Sequence, residues 1–335
     1  MPSPANRIVA TVRAIVLAGT AALTAVPAAC GADVAASYPE KPIRVVIGFS
    51  PGGVVDVSVR IIGQKLNDVW KQQVIADNRS GAGGMIAAQI AANANPDGYT
   101  LLSISASHII TPAIYAKVPY DTLKDFAGVT TTVMVPSVLA VSPALGVKSV
   151  RDLVAMAKAK PGQLLYSSGG IGSGTHFTAL LFVNLTGINV EHVPFKGIPE
   201  ALTEALVGRV QFTFSPVSSV LPFAKDGRVI MLGVTSTTRL AALPDVPALD
   251  EAGVKGYRWD PWFGLVVPAK TPRAIVRKLN QEIRRILVLP EVKERWTAMG
   301  AELMPSATPE EFDRYLAEQA TLVAKLAKAA NIKPE

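Results

Sequence analysis

Ile43, Val45, Val46, Ile47 and Phe49 form a near-continuous apolar run that ends at Ser50-Pro51-Gly52-Gly53. A run of this kind reads as a strand buried on both faces, so the chain has to cover a sheet from two sides. The paired glycines then permit a sharp turn, and Val55, Val59, Ile62, Leu66 and Val69 recur behind it at helical spacing. A glycine turn that leads into a helix leaves the first helical amides without intrahelical partners, which suits an anion. A second glycine turn lies at Asn78-Arg79-Ser80-Gly81-Ala82-Gly83-Gly84, and a third between Gly169 and Thr175. The backbone of this chain is therefore prepared to hold a small anionic group.

The rest of the chain continues the alternation of strand and helix. Helical segments are read at Met85–Ala94, Val150–Ala159, Pro199–Leu206, Arg273–Leu287, Pro290–Met299 and Pro309–Ala329. Strands are read at Leu101–Ser105, Val135–Val141, Leu164–Ser168, Gln211–Phe214, Val229–Thr235 and Phe263–Val267. The pattern predicts an α/β fold, a parallel sheet with helices on both faces. No low-complexity linker divides it. Two passages, near Val138–Pro143 and Trp259–Phe263, read as crossings between lobes. They imply one lobe from residues 37–140 and 260–335, and a second from 141–259.

Of 335 residues, 49% are apolar and 18% charged, which excludes a disordered chain. Part of that apolarity belongs to a leader. Arg7 and Arg13 precede the uncharged stretch Ala14–Ala28, and Val34-Ala35-Ala36 offers small residues for cleavage. Residues 1–36 are read as a signal peptide, and export to the periplasm follows. Pro27-Ala28-Ala29-Cys30 loosely approximates a lipoprotein signal, so acylation of Cys30 stands beside simple loss of that cysteine with the leader. As the only cysteine, Cys30 supports no intrachain disulfide. The whole chain carries +7. Without Arg7, Arg13 and Asp33 it keeps 31 basic and 25 acidic side chains, a net +6. These charges are scattered and form no basic cluster interleaved with aromatics, so nucleic acid is not a partner and mild attraction of anionic solutes is.

Several motifs invite other chemistry. Gly48-Phe49-Ser50-Pro51-Gly52 fits the G-x-S-x-G nucleophile elbow, yet the oxyanion hole of that elbow needs the amide after the serine, and Pro51 has none. Gly81 to Gly84 is not a dinucleotide fingerprint, because Ile86 stands where the third glycine belongs. Gly169 to Thr175 lacks the Gly-Lys-Ser/Thr of a phosphate loop. His108, His176 and His192 have no spacing typical of a metal site, and no metal or cofactor is expected.

Taken together, Tyr38-Pro39, Lys41-Pro42-Ile43-Arg44, Pro51-Gly52-Gly53, Asp56, the Asn78–Gly84 turn and Pro96-Asp97-Gly98-Tyr99-Thr100 resemble the Bug receptors. Those are the periplasmic substrate-binding proteins of tripartite tricarboxylate transporters. The resemblance continues through Tyr120-Asp121, Asp125-Phe126, Ser167-Ser168-Gly169, Val193 to Gly197, Leu243 to Pro247, Glu251 to Gly253 and Trp262-Phe263-Gly264, and so covers nearly the whole mature chain. It implies a two-lobed type II periplasmic-binding-protein fold, a Venus flytrap with two hinge-crossing strands. It also implies a small-molecule carboxylate as ligand, the membrane permease subunits of the transporter as partners, action as a monomer, and no catalysis.

The expected ligand-binding residues are Ser50, Gly52, Gly53, Asp56, Ser107, His108, Ser168, Gly169, Gly172, Thr175, His176, Lys196, Gly197 and Ser215. Among them Asp56 reads as a first-turn acid that also orders the first turn, and His176 as either a helix cap or a ligand contact. His192 reads as structural, and the resemblance implies that Arg79 is scaffold. Trp259, Trp262, Phe263 and Phe195 read as packing, with a cleft wall as the alternative. Ser215-Pro216 stands where many amino-acid receptors of this kind carry an acid. An aliphatic dicarboxylate, hydroxy acid or aromatic carboxylate is therefore favoured over an amino acid. Two other functions remain open: a ligand-dependent periplasmic sensor for a signalling partner, and a secreted α/β hydrolase built on Ser50.

Overall fold

Strand β1 (Ile43–Ile47) alternates its side chains between two apolar cores: Ile43, Val45 and Ile47 enter one, Val46 the other. The strand is thus covered on both faces, as its unbroken apolar run predicts. A computed structural model describes residues 35–329 of the chain, other than 241, 258, 260 and 299. The expected leader, Cys30 included, lies outside the described residues except for Ala35 and Ala36.

After β1 come α1 (Val54–Trp70), β2 (Val74–Asn78), α2 (Met85–Ala92), β3 (Thr100–Ser105), α3 (Ser107–Ile114) and β4 (Phe126–Met134). The chain then crosses to a second sheet and builds β5 (Ser137–Val141), α4 (Val150–Ala159), β6 (Leu165–Ser168), α5 (Gly174–Thr186) and β7 (Glu191–Pro194). It continues there with α6 (Ile198–Leu206), β8 (Phe212–Pro216), α7 (Val217–Lys225) and β9 (Ile230–Val234). The return adds β10 (Trp262–Pro268), α8 (Arg273–Leu287), α9 (Pro290–Ala298), β11 (Glu302–Leu303) and α10 (Pro309–Ala329) to the first sheet. The strand orders are β11-β4-β10-β3-β1-β2 and β7-β6-β8-β5-β9.

The sheets are mixed, not parallel. β1 runs parallel to β2 and β3, but β10 is antiparallel to β3 and β4, and β5 is antiparallel to β8 and β9. The reason is topological. Strands that end at the interlobe cleft share one direction, whereas β5 and β10 start at the cleft after crossing it and so run the other way.

The first crossing also departs from the sequence reading. Val138, Leu139 and Ala140 pair with β8 and β9 inside the second sheet, so the passage between lobes falls between Met134 and Ser137. Pro136 breaks the long apolar stretch there, since proline donates no ladder hydrogen bond. What read as one strand, Val135–Val141, is β5 preceded by Val135 and Pro136, the gap between β4 and β5. Strands β2, β4 and β7 and the short helix α3, which contains Pro112, went unread. In β4 the run Thr130-Thr131-Thr132 masks a strand that is buried almost throughout.

Trp259 and Trp262 flank the return crossing. Trp259 packs edge-on to Phe177 of α5, with ring centroids 4.9 Å apart, and Trp262 packs edge-on to Phe312 of α10 at 6.1 Å. One tryptophan is therefore pegged into each lobe, and both act as packing. Among the described residues no helix is long and apolar enough to cross a membrane.

Candidate functional site

The first glycine turn carries the chain from β1 into α1. Gly52 sits at φ +83°, a left-handed conformation that favours glycine, and Gly53 caps α1 without any side-chain hydrogen bond to its amides. The second turn is laid directly on the first, since β1 and β2 are neighbours and the Arg79 amide donates to the Ile47 carbonyl at 2.7 Å. A Cβ on Gly48 would stand 2.6 Å from the Gly84 Cα, so the two turns touch backbone to backbone.

Asp56, 2% exposed, ties this assembly together. Its carboxylate accepts from the Gly52 amide at 3.0 Å, from Asn78 Nδ2 at 3.1 Å, and from Arg60 Nε and Nη2 at 2.9 and 3.0 Å. Asn78 Nδ2 also donates to the Phe49 carbonyl at 2.9 Å. Burial pushes the Asp56 carboxyl upward, but the bonds from Arg60, Gly52 and Asn78 together hold it below the usual carboxylate range. Arg79 pairs with Asp77 at 2.9 Å, beside the Arg44–Asp77 pair, as scaffold.

In the second lobe the turn between β6 and α5 is ordered without charge. Ser173 Oγ accepts from the His176 amide at 3.2 Å, and Thr175 Oγ1 accepts from the Gly169 amide at 2.9 Å. His176 folds back under the turn and its Nδ1 accepts from the Gly172 amide at 3.2 Å. Its ring stacks on His192 with centroids 4.1 Å apart, and His192 Nε2 shares a 2.6 Å hydrogen bond with Ser168 Oγ. Burial lowers both rings. His176, which also feels His192, is brought to about 3 and His192 to about 4. Both are neutral at pH 7.

Between the lobes lies a cleft of about 520 Å³, part of it open to solvent. Phe49, Ser50, Gly53, Val54 and Val55 wall it from the first turn and α1, and Ser105 and Ala106 from the end of β3. Ser137, Pro261 and Phe263 come from the two crossings. Gly169, Ser173, Gly174, Thr175, Ile198 and Pro216 close it from the second lobe. Among the described walls, five are hydroxyl residues and none carries a charge. The Ser137 hydroxyl is buried without a hydrogen-bond partner.

The lobes are closed on each other. Ser50 Oγ donates to Glu200 Oε1 of α6 at 2.7 Å, and the Tyr115 hydroxyl donates to the Ile171 carbonyl at 3.0 Å. A Cβ on Gly83 would stand 2.5 Å from that same carbonyl oxygen.

Of the expected residues, Ser50, Gly53, Gly169 and Thr175 line the cleft. Gly52 lines the neighbouring space and donates to Asp56, Asp56 and His176 stand behind the turns as supports, and Ser168 is engaged with His192. Gly197 packs against Ser50, where a Cβ would lie 2.8 Å from the serine side chain. Gly172 faces Tyr115 across the lobes. Four residues stand apart from the cleft walls. Lys196 is exposed, and Ser215 is buried in β8 beside Thr213. Ser107 bonds Ser105, and His108 points into its own lobe. There its Nε2 donates to the Thr122 carbonyl at 3.1 Å, its ring stacks on Tyr120, and burial lowers it to about 4.

The sequence reading missed Ser105, Ser137, Ser173 and the interlobe acid Glu200. Ser105 ends a cleft-pointing strand, where open α/β sheets place ligands; that signal was followed two residues too far. Ser137 carries no local signal, because its role depends on the crossing.

The nucleophile-elbow motif at Ser50 has no catalytic company. Its hydroxyl donates to Glu200, while His108, His176 and His192 are engaged elsewhere.

Residues 58–332 match the model of the tripartite tricarboxylate transporter family receptor. Protein BugT of Bordetella pertussis is 33% identical over 285 residues, covering 84% of this chain and 87% of BugT. An adipate-bound protein of R. palustris, Rpa4515, shares the fold with TM-score 0.85 and 32% identity, over 89% of this chain and all of that one. The periplasmic binding protein BugD gives TM-score 0.85 at 28% identity, over 89% of this chain and all of BugD. MatC of Rhodopseudomonas palustris, solved with malate, gives 0.83 at 28%, over 87% of this chain and all of MatC. The architecture is accordingly the two-lobed periplasmic-binding-protein fold, and the relatives are substrate receptors, not enzymes. The chain belongs to the tripartite tricarboxylate transporter receptor family, the Bug receptors.

Proposed function

We propose that this protein is a periplasmic receptor that closes its two lobes over a small organic carboxylate lacking an amine and delivers it, as a monomer, to the permease of a tripartite tricarboxylate transporter. One observation carries the reading. The N-termini of α1 and α5, one from each lobe, meet at a cleft whose described walls bear hydroxyls but no charge. A helix N-terminus favours an anion by roughly 0.3–1 kcal/mol at an exposed site and more when partly buried. Two such ends from opposite lobes let a carboxylate reward closure itself.

The same walls disfavour an ammonium, which would be buried without an opposing charge. Glu200 is exposed and outside the cleft walls, and one of its oxygens is engaged by Ser50. The adipate and malate held by related proteins are dicarboxylates without an amine, which supports the same class. Phe49, Phe263, Val55 and Ile198 give the cleft apolar sides that accept an alkyl or aryl portion.

The test is a thermal-shift screen of the refolded protein against mono-, di- and tricarboxylates, aromatic acids and amino acids. Ligand at a hundred times its Kd stabilises the native state by about 2.7 kcal/mol. Stabilisation by succinate, adipate, malate or benzoate is expected, with aspartate weaker than malate. An amino acid bound more tightly than its deaminated analogue would remove the amine-free assignment, and silence toward every acid would remove the receptor reading.

A further inference from the structure

The carboxylate cleft is not the largest space between the lobes. Beside it lies a chamber of about 690 Å³, part of it open to solvent, walled by Val57 of α1, Leu202 of α6, Phe223 of α7 and Trp296 of α9. Like the cleft, it takes walls from both lobes and has no charged side chain among them. Val54 and Ile198 wall both spaces, so these two aliphatic side chains, one from each lobe, form the partition between them. Ser218 also lines the chamber, and its hydroxyl oxygen is buried without a hydrogen-bond partner. A buried unpaired hydroxyl is costly and marks a position where a polar group is wanted.

We infer that this chamber is a second subsite, which takes the distal part of a ligand whose carboxylate sits in the cleft. The inference rests on the carboxylate reading above and sharpens its substrate class: a carboxylate bearing a bulky aryl or branched alkyl group, with a polar atom at the far end for Ser218. Continuity favours this occupant. A ligand anchored at the helix N-termini leads past Val54 and Ile198 into walls that match an apolar group. Lobe closure assembles the chamber as it assembles the cleft, so both ends of such a ligand reward the same motion.

The test compares hexanoate with 6-phenylhexanoate by calorimetric titration of the refolded protein. A phenyl group buried against these walls strengthens binding by roughly ten- to a hundredfold, so a gain of at least about tenfold is expected. Ser219→Phe fills the chamber from α7, away from the cleft, and is expected to abolish that gain while leaving hexanoate within about twofold. Thr203→Trp does the same from the exposed side of α6, with circular dichroism confirming the fold of each variant. Equal affinity for the two acids in the unaltered protein overturns the inference, as does a phenyl gain that survives both substitutions. Should both variants misfold, the comparison in the unaltered protein still decides. If hexanoate and every short carboxylate fail to bind, the receptor reading falls. If short acids bind and the phenyl group adds nothing, only the chamber does.

Discussion

The two strand-to-helix turns that face each other across the cleft are held in opposite ways. In the first lobe an ionised carboxylate, Asp56, gathers the Gly52 amide, Asn78 and the Arg60 guanidinium. In the second lobe, hydroxyls and two neutral stacked imidazoles hold the turn. Each lobe thus orders its backbone amides behind the cleft, and the described cleft walls carry no charge. The carboxylate proposed above would meet two helix N-termini, with no counter-ion to displace among the described walls. The two supports differ in the proton that undoes them, which makes the comparison testable.

The largest effect is expected from Asp56→Ala. It removes the buried acceptor shared by the Gly52 amide, Asn78 and Arg60, at a cost of about 2–3 kcal/mol in chemical denaturation. Carboxylate binding should weaken with it, because the first turn loses its tie to the second. A variant that binds and melts like the parent would show that the turn is ordered by backbone alone.

Mild acid should separate the two supports. Unfolded histidines take up protons below about pH 6.5, whereas His176 and His192 in the native state resist until about 3 and 4. Their contribution to stability is complete above that unfolded value and declines as pH falls from about 6.5 toward 4. Each ring then subtracts about 1–2 kcal/mol between pH 7 and 5. His108, lowered to about 4, behaves alike in the first lobe but away from the turn. Asp56, lowered in the fold, keeps its full contribution above about 3.9 and loses it only as pH falls through its depressed value. Hydrogen exchange at pH 5 should therefore loosen α5 before α1. Simultaneous loosening of both helices would erase the distinction.

A smaller effect is expected from Gly83→Ala. That residue sits at φ +60°, and a Cβ would meet the Ile171 carbonyl oxygen at 2.5 Å. The conformational cost is about 1–2 kcal/mol, and the clash acts only when the lobes are closed. Ligand affinity should fall further than the stability of the empty protein, which titration and denaturation distinguish. Smallest of all, Tyr115→Phe removes the interlobe bond to Ile171. The loss of about 1 kcal/mol should appear as a several-fold faster ligand release with the first turn undisturbed.

Much of this molecule was legible in the chain alone. The buried strand β1, the glycine turns, the amphipathic α1 and the helices Val150–Ala159, Arg273–Leu287 and Pro309–Ala329 follow from apolar spacing and local backbone freedom. These are short-range properties, written within a few residues. The motifs, read in order, also led to the family. Tertiary structure alone decided which side chains line the cleft. Ser137 is a cleft residue because the chain crosses between sheets at Pro136, and Glu200 meets Ser50 because the lobes close. His108 was read as cleft-facing and stacks inside its lobe on Tyr120. His176 and His192 form one support although a whole helix separates them. Such pairings depend on where distant segments come to rest, and no periodicity within a segment records that.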